Sequence, residues 1–173
     1  MPPSREVWAA AFAAQSQSDW QVYNLLAGEP WLPPCHELHY LQMSCEKIAK
    51  AYRCRDTAAD LEELLKRHIG FAKFIGSFLS SPMIKEAYRG RSAQLQKISK
   101  LSRALAREIE KLAPAVDRAG SPENAEYPWE SGDDVVSPCQ YSYPRLSLLT
   151  SAGGRTLLKL VARAIQDFER TAT

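Results

Sequence analysis

Apolar residues recur at spacings of three and four along most of this chain, and that period constrains its fold more than any other feature. The plainest case is CHELHYLQMSCEKIAKAY at 35–52, where Leu38, Leu41, Cys45, Ile48 and Tyr52 fall on one stripe. A helix gathers such a set on a single face, whereas a strand would scatter it over both. The stripe predicts a helix over about 35–54. Leu157, Leu160, Val161, Ala164, Ile165 and Phe168 form a second set and predict a closing helix at about 153–170. Near the start, Val7, Trp8, Ala11 and Phe12, then Val22, Tyr23, Leu25 and Leu26, predict helix over 4–27. Asp19 is a candidate cap inside that stretch, and Gly28 and Pro30 end it.

The middle of the chain continues the pattern. Thr57-Ala58-Ala59-Asp60 resembles a capping box with Asp in its last position. Behind it Leu61, Leu64, Leu65, His68, Ile69, Ala72, Ile75 and Leu79 predict one long core-facing helix, broken by Ser80-Ser81-Pro82. A short helix at 83–88 and a longer one from about 92 to 113 follow, divided by Gly90. The character changes from 114 to 146. Pro114, Pro122, Pro128, Pro138 and Pro144, with Glu123, Glu126, Glu130, Asp133 and Asp134, predict a long, acidic, irregular excursion. Tyr127, Trp129, Tyr141 and Tyr143 are its candidate anchors. The sum is an all-α antiparallel bundle of about five helices, read as one domain over 1–173 with its core at 4–113 and 151–171.

Composition narrows the classes. A length of 173 residues fits one core, and 45% hydrophobic with 24% charged residues argues against wholesale disorder. The net charge is only +2, so nothing global calls for nucleic acid or membrane. VWAAAFAA at 7–14 lacks the basic flank and length of a signal peptide and reads as helix. No apolar run reaches the roughly 18 residues that a membrane span needs. Cys35, Cys45, Cys54 and Cys139 show no framework spacing and are expected to pack as small reduced hydrophobes. A cytoplasmic protein is the expectation.

Several side chains bear on chemistry. His36 and His39 with Cys35 have neither CxxC nor HExxH spacing, so packing is preferred to a metal site. No metal and no cofactor is expected. Glu46 flanks the buried stripe, with His39 seven residues earlier, and Lys50 stands at the i+4 position that favours a helix-surface ion pair. His68, on an apolar stripe, reads as a hydrogen-bonded core residue. Arg89, Arg91, Lys97, Lys100, Arg103, Arg107 and Lys111 outnumber Glu108 and Glu110. Of these Lys97, Lys100, Arg103, Arg107 and Lys111 are the candidate contacts to RNA phosphates, with the acidic segment 123–134 a potential internal cover. Gly153-Gly154 opens the last helix, where capping by Thr150 or Ser151 is preferred to anion binding.

The run MSCEKIAKAY, placed on a second helix after a first that carries Asp19 and Leu25-Leu26, resembles the HEPN domain (higher eukaryotes and prokaryotes nucleotide-binding). Glu46, Lys47, Lys50 and Ala51 match its second-helix pattern, and Tyr127-Pro128 is a second echo. The resemblance implies a four- or five-helix bundle, usually a homodimer. It implies metal-independent ribonuclease activity through Arg-x(4–6)-His, or an inactive role beside a nucleotidyltransferase-type antitoxin, in toxin–antitoxin or defence settings. This chain departs from that motif. No arginine precedes His36, His39 or His68 at the required spacing, and Glu126 stands before Tyr127. The expectation is a non-catalytic module binding a partner protein or RNA. The alternative is a divergent ribonuclease with a composite dimer site built from Glu46, His68, Arg103 and Arg107.

Overall fold

The computed structural model describes residues 2–68 and 70–170. Ile69, counted on an expected core stripe, and Thr171, the expected end of the core, lie outside them. Seven α-helices carry the described residues: α1 (Arg5–Leu26), α2 (Pro34–Cys54), α3 (Leu61–Lys66), α4 (Phe71–Leu79), α5 (Pro82–Ala87), α6 (Ser92–Glu110) and α7 (Ala152–Arg170). Strand is confined to a hairpin, β1 (Trp129–Ser131) antiparallel to β2 (Asp134–Val136). The protein is therefore mostly α. No described helix is long and apolar enough to cross a membrane.

The helix α2 is the axis of the molecule. It packs against α1, α3, α4, α6 and α7, and its stripe Leu38, Leu41, Cys45 and Ile48 is buried. Burying each such side chain contributes roughly 2 kcal/mol. Cys35, Cys45 and Cys54 are buried there as the small hydrophobes expected, and Cys139 is exposed. Tyr52 joins Phe74, Phe78 and Phe168 in an aromatic cluster and donates its hydroxyl to the Ala164 carbonyl at 3.0 Å.

The helix α1 lies antiparallel along α2. Arg5 at its start reaches the Asp56 and Ala59 carbonyls beyond the end of α2. Ser16 and Ser44 close the seam, their hydroxyls fully buried and exchanging bonds with each other's backbone. Asp19 is not a cap, because α1 runs through it unbroken. It is buried mid-helix, held by Lys47 at 2.8 Å and Gln15 at 3.0 Å.

The expected helix 61–79 is two helices. Asp60 itself caps α3 by accepting from Glu63 N, so Thr57 plays no part in a box. The chain leaves helical geometry at Arg67 and turns at Gly70, whose φ of 142° is open only to glycine at little cost. Glu110, forty residues on in α6, then caps α4 by accepting from Gly70 N at 2.6 Å and Ala72 N at 3.1 Å. Substituting Glu110 with alanine is expected to cost about 1–2 kcal/mol, the usual loss for an N-terminal cap. Urea unfolding checks this.

The excursion 114–146 has more order than its composition implied. Besides the hairpin it contains 3₁₀ turns at Pro138–Gln140 and Pro144–Thr150. The Asn124 side chain binds the backbone of Pro122, Glu126 and Tyr127, and Tyr143 donates to the Asn124 carbonyl at 2.8 Å. Trp129, Tyr141 and Tyr143 pack edge-to-face as a ladder and do serve as anchors. Tyr127 does not; it is 55% exposed. The acids of this excursion are absent from the walls around Lys100, Arg103 and Arg107, so they do not cover those three; Glu123 alone shares a hollow with Lys111.

Candidate functional site

Two cavities border the segment that joins α3 to α4, one at Arg67 and Gly70 and the other at His68. On one side, α2, α4 and α6 enclose an open cleft of about 650 Å³. Arg53 comes from α2, Lys73 from α4, Arg103 and Arg107 from α6, and Arg67 from the segment itself. Five cations thus face one carboxylate, Glu110, whose charge is already engaged by the α4 amides. Arg67 pairs with Glu63 at 2.6 Å. The side chains of Arg53, Lys73, Arg103 and Arg107 have no ion-pair or hydrogen-bond partner among the described residues.

Small residues make the cleft possible. Gly76 of α4 faces Arg103, whose Nε would lie 3.4 Å from an added Cβ. Ser77, Ser80 and Ser99 add hydroxyls to the walls. The cleft continues along α6 through Lys100 and Gln96 into a further hollow bordered by Lys85, Tyr88 and Arg89. The helix face alone, 19 residues from Ser92 to Glu110, extends about 28 Å.

On the other side of the segment lies a pocket of about 450 Å³ over α2. Its floor is ionic. Glu46 accepts from Lys50 at 2.9 Å, Gln42 at 2.9 Å and His68 Nδ1 at 3.3 Å. Lys50 also donates to the Leu65 carbonyl at 3.3 Å and lies near the Phe12 ring. At 7% exposure Lys50 is buried, so the pair with Glu46 is not the helix-surface bridge its spacing implied. Burial by itself would raise the Glu46 carboxyl, but the hydrogen bond and charge of Lys50, with Gln42 and His68, hold it below its ordinary value. His68 is not a core residue. It sits between α3 and α4 with its side chain 48% exposed. His39 pairs with Glu126 at 3.6 Å, not with Glu46, and His36 is exposed.

The residues singled out from sequence are thus sorted into separate places. Lys100, Arg103 and Arg107 share the cleft, joined by Arg53, Arg67 and Lys73, which no spacing rule on one helix could have found. Lys97 is exposed on α6 away from the cleft walls. Lys111 pairs with Glu108 at 3.5 Å and borders a small hollow by Tyr141 and Arg145. Within this chain Glu46 and His68 line the pocket while Arg103 and Arg107 line the cleft. The motif residues Glu46, Lys47 and Lys50 lie together on α2; Tyr127 and Pro128 are exposed in the excursion. Ser151 caps α7 through Gly154 N at 3.1 Å, and both Gly153 and Gly154 are pressed against neighbouring atoms rather than open to an anion.

Comparison with protein-family models, curated proteins and solved structures finds no match to this chain.

Proposed function

We propose that this protein is a non-catalytic, HEPN-like helical module that binds RNA through the basic cleft between α2, α4 and α6. The observation that carries the reading is the convergence there of Arg53, Lys73, Arg103 and Arg107, brought from three helices and left without acidic partners among the described residues. Gathering like charges is unfavourable in the free protein, and phosphates relieve it while releasing condensed counterions. The length of the α6 face accommodates several nucleotides of backbone. Support for the HEPN-like part comes from the helix order and from Glu46, Lys47 and Lys50 clustered on the second helix. That reading carries with it a homodimer and a protein partner of the nucleotidyltransferase-antitoxin kind, in a toxin–antitoxin or defence setting. The assignment as non-catalytic rests on the missing Arg-x(4–6)-His motif and on the histidine and arginines lining separate cavities.

Fluorescence anisotropy with labelled single-stranded RNA tests the binding. Five phosphate contacts give an expected slope of about −3.5 for log affinity against log salt, at roughly −0.7 per contact. Arg103→Glu with Arg107→Glu is expected to flatten that slope to about −2 and to weaken binding at every sequence tried. An unchanged slope would remove the cleft from the account. The same RNA is expected to stay intact in EDTA; cleavage that disappears in His68→Ala would restore the composite ribonuclease site. Light scattering checks the dimer.

A further inference from the structure

The pocket over α2 is not part of the basic cleft, and its chemistry differs. Its walls are apolar: Phe12, Met43, Ala113, Pro114 and Ala115. Its floor holds the Glu46–Lys50 pair and Lys47, whose partner Asp19 lies 2.8 Å away. Asp19 and Lys50 have side chains only 8% and 9% exposed. Ion pairs this deep contribute little beyond apolar packing of the same volume, so stability alone does not account for them. An open apolar pocket over a few convergent polar groups is the usual form of a small-molecule site.

The unspent hydrogen-bonding capacity of the floor says which kind of molecule. Glu46 accepts from three donors and is satisfied. Each lysine ammonium carries three N–H groups. Lys47 spends one on Asp19, and Lys50 spends two, on Glu46 and the Leu65 carbonyl. Spare N–H groups therefore remain on both lysines, one on Lys50 and two on Lys47. At the rim the Glu126 carboxylate lies 3.6 Å from His39 Nδ1. The charged capacity left over on the floor is that of the two lysine donors, while the unspent acceptors of the lining, among the described residues, are the Gln42 amide oxygen and the Glu126 carboxylate.

We propose that this pocket binds a small molecule with an anionic head, a carboxylate or a phosphate, and an apolar body. The head meets Lys47 and Lys50, and the body lies along Phe12, Met43 and the 113–115 turn. The cavity volume of about 450 Å³ admits a ligand of modest drug size.

The test uses the full chain, isotope-labelled and titrated with octanoate, octyl phosphate and octanol. At least one of the anions is expected to bind saturably at submillimolar concentration, with shifts at α2, and octanol about tenfold more weakly or not at all. Which anion binds more tightly identifies the head group. Met43→Trp, which fills the pocket and leaves every ion-pairing residue in place, is expected to weaken the anion about tenfold or more. Lys47→Met is expected to weaken the anion to the level of octanol. Should Lys47→Met not fold, Met43→Trp decides alone. Failure of both anions to saturate at millimolar concentration, equal binding of octanol, or unchanged binding in Met43→Trp would each overturn the proposal.

Discussion

Replacing Gly154 with alanine is expected to destabilise the protein by about 3 kcal/mol or more, the upper range for a forced overlap in a packed interior. In an exposed helix the same change would stabilise by about 0.5–1 kcal/mol, because glycine loses more backbone freedom on folding. Here that gain is outweighed. A Cβ on Gly154 would overlap the Leu148 carbonyl oxygen and the Leu149 backbone, which belong to the 3₁₀ segment folded against the start of α7. Neither backbone group moves without shifting Ser151, whose hydroxyl accepts from Gly154 N. The neighbouring glycine is the control. A Cβ on Gly153 overlaps the Leu101 side chain and no backbone atom, with the Ser151 hydroxyl at an ordinary 3.8 Å; Leu101 has rotamers available, so Gly153→Ala is expected to cost far less. Urea unfolding of the two variants side by side checks the contrast; equal midpoints would show that the 3₁₀ segment does not constrain α7.

Lys50→Ala is expected to cost about 3–5 kcal/mol, the range for breaking a buried ion pair from one side. It strips Glu46 of its closest cation and leaves a carboxylate, its side chain 13% exposed, with Gln42 and a half-exposed histidine. Lys50→Met together with Glu46→Gln is expected to be near neutral, since it removes both charges at similar volume. The difference between single and double variants measures how far Glu46 depends on Lys50.

The same pair predicts a direction in acid. The folded value of Glu46 lies below its ordinary 4.5, so ionised Glu46 contributes stability that is fully present above that pH. The contribution is lost as pH falls through the depressed folded value. Lys50→Met removes the main cause of the depression, and its acid unfolding is expected to begin at higher pH than in the parent. Circular dichroism during acid titration checks the order. An acid limb unchanged by Lys50→Met would mean that Glu46 is held by Gln42 and His68 alone.

Much of the architecture was legible because helical period is a local property. The stripe Leu38, Leu41, Cys45 and Ile48 defined α2 to within a residue or two, and Leu157 to Phe168 defined α7. The two serines and the proline at 80–82 marked a real break, and Ser151 a real cap. The site was legible only in fragments. Arg103 and Arg107 stood out through their spacing on α6, but Arg53, Arg67 and Lys73 carry no mark in sequence that joins them to the same cleft.

The sequence by itself determined the mostly helical class, the extent of the long helices and the distinct character of 114–146, since each depends on neighbours a few residues apart. The tertiary structure alone decided where the expected helix 61–79 breaks, because the break at Gly70 is completed by the Glu110 carboxylate from another helix. It alone decided that Asp19 and Lys50 are buried, because each meets partners on α2 or α3 that local spacing does not specify. It also placed the cations of three helices around one cleft. Side chains that act together here are joined by packing between helices, and electrostatic energy depends on those distances in space.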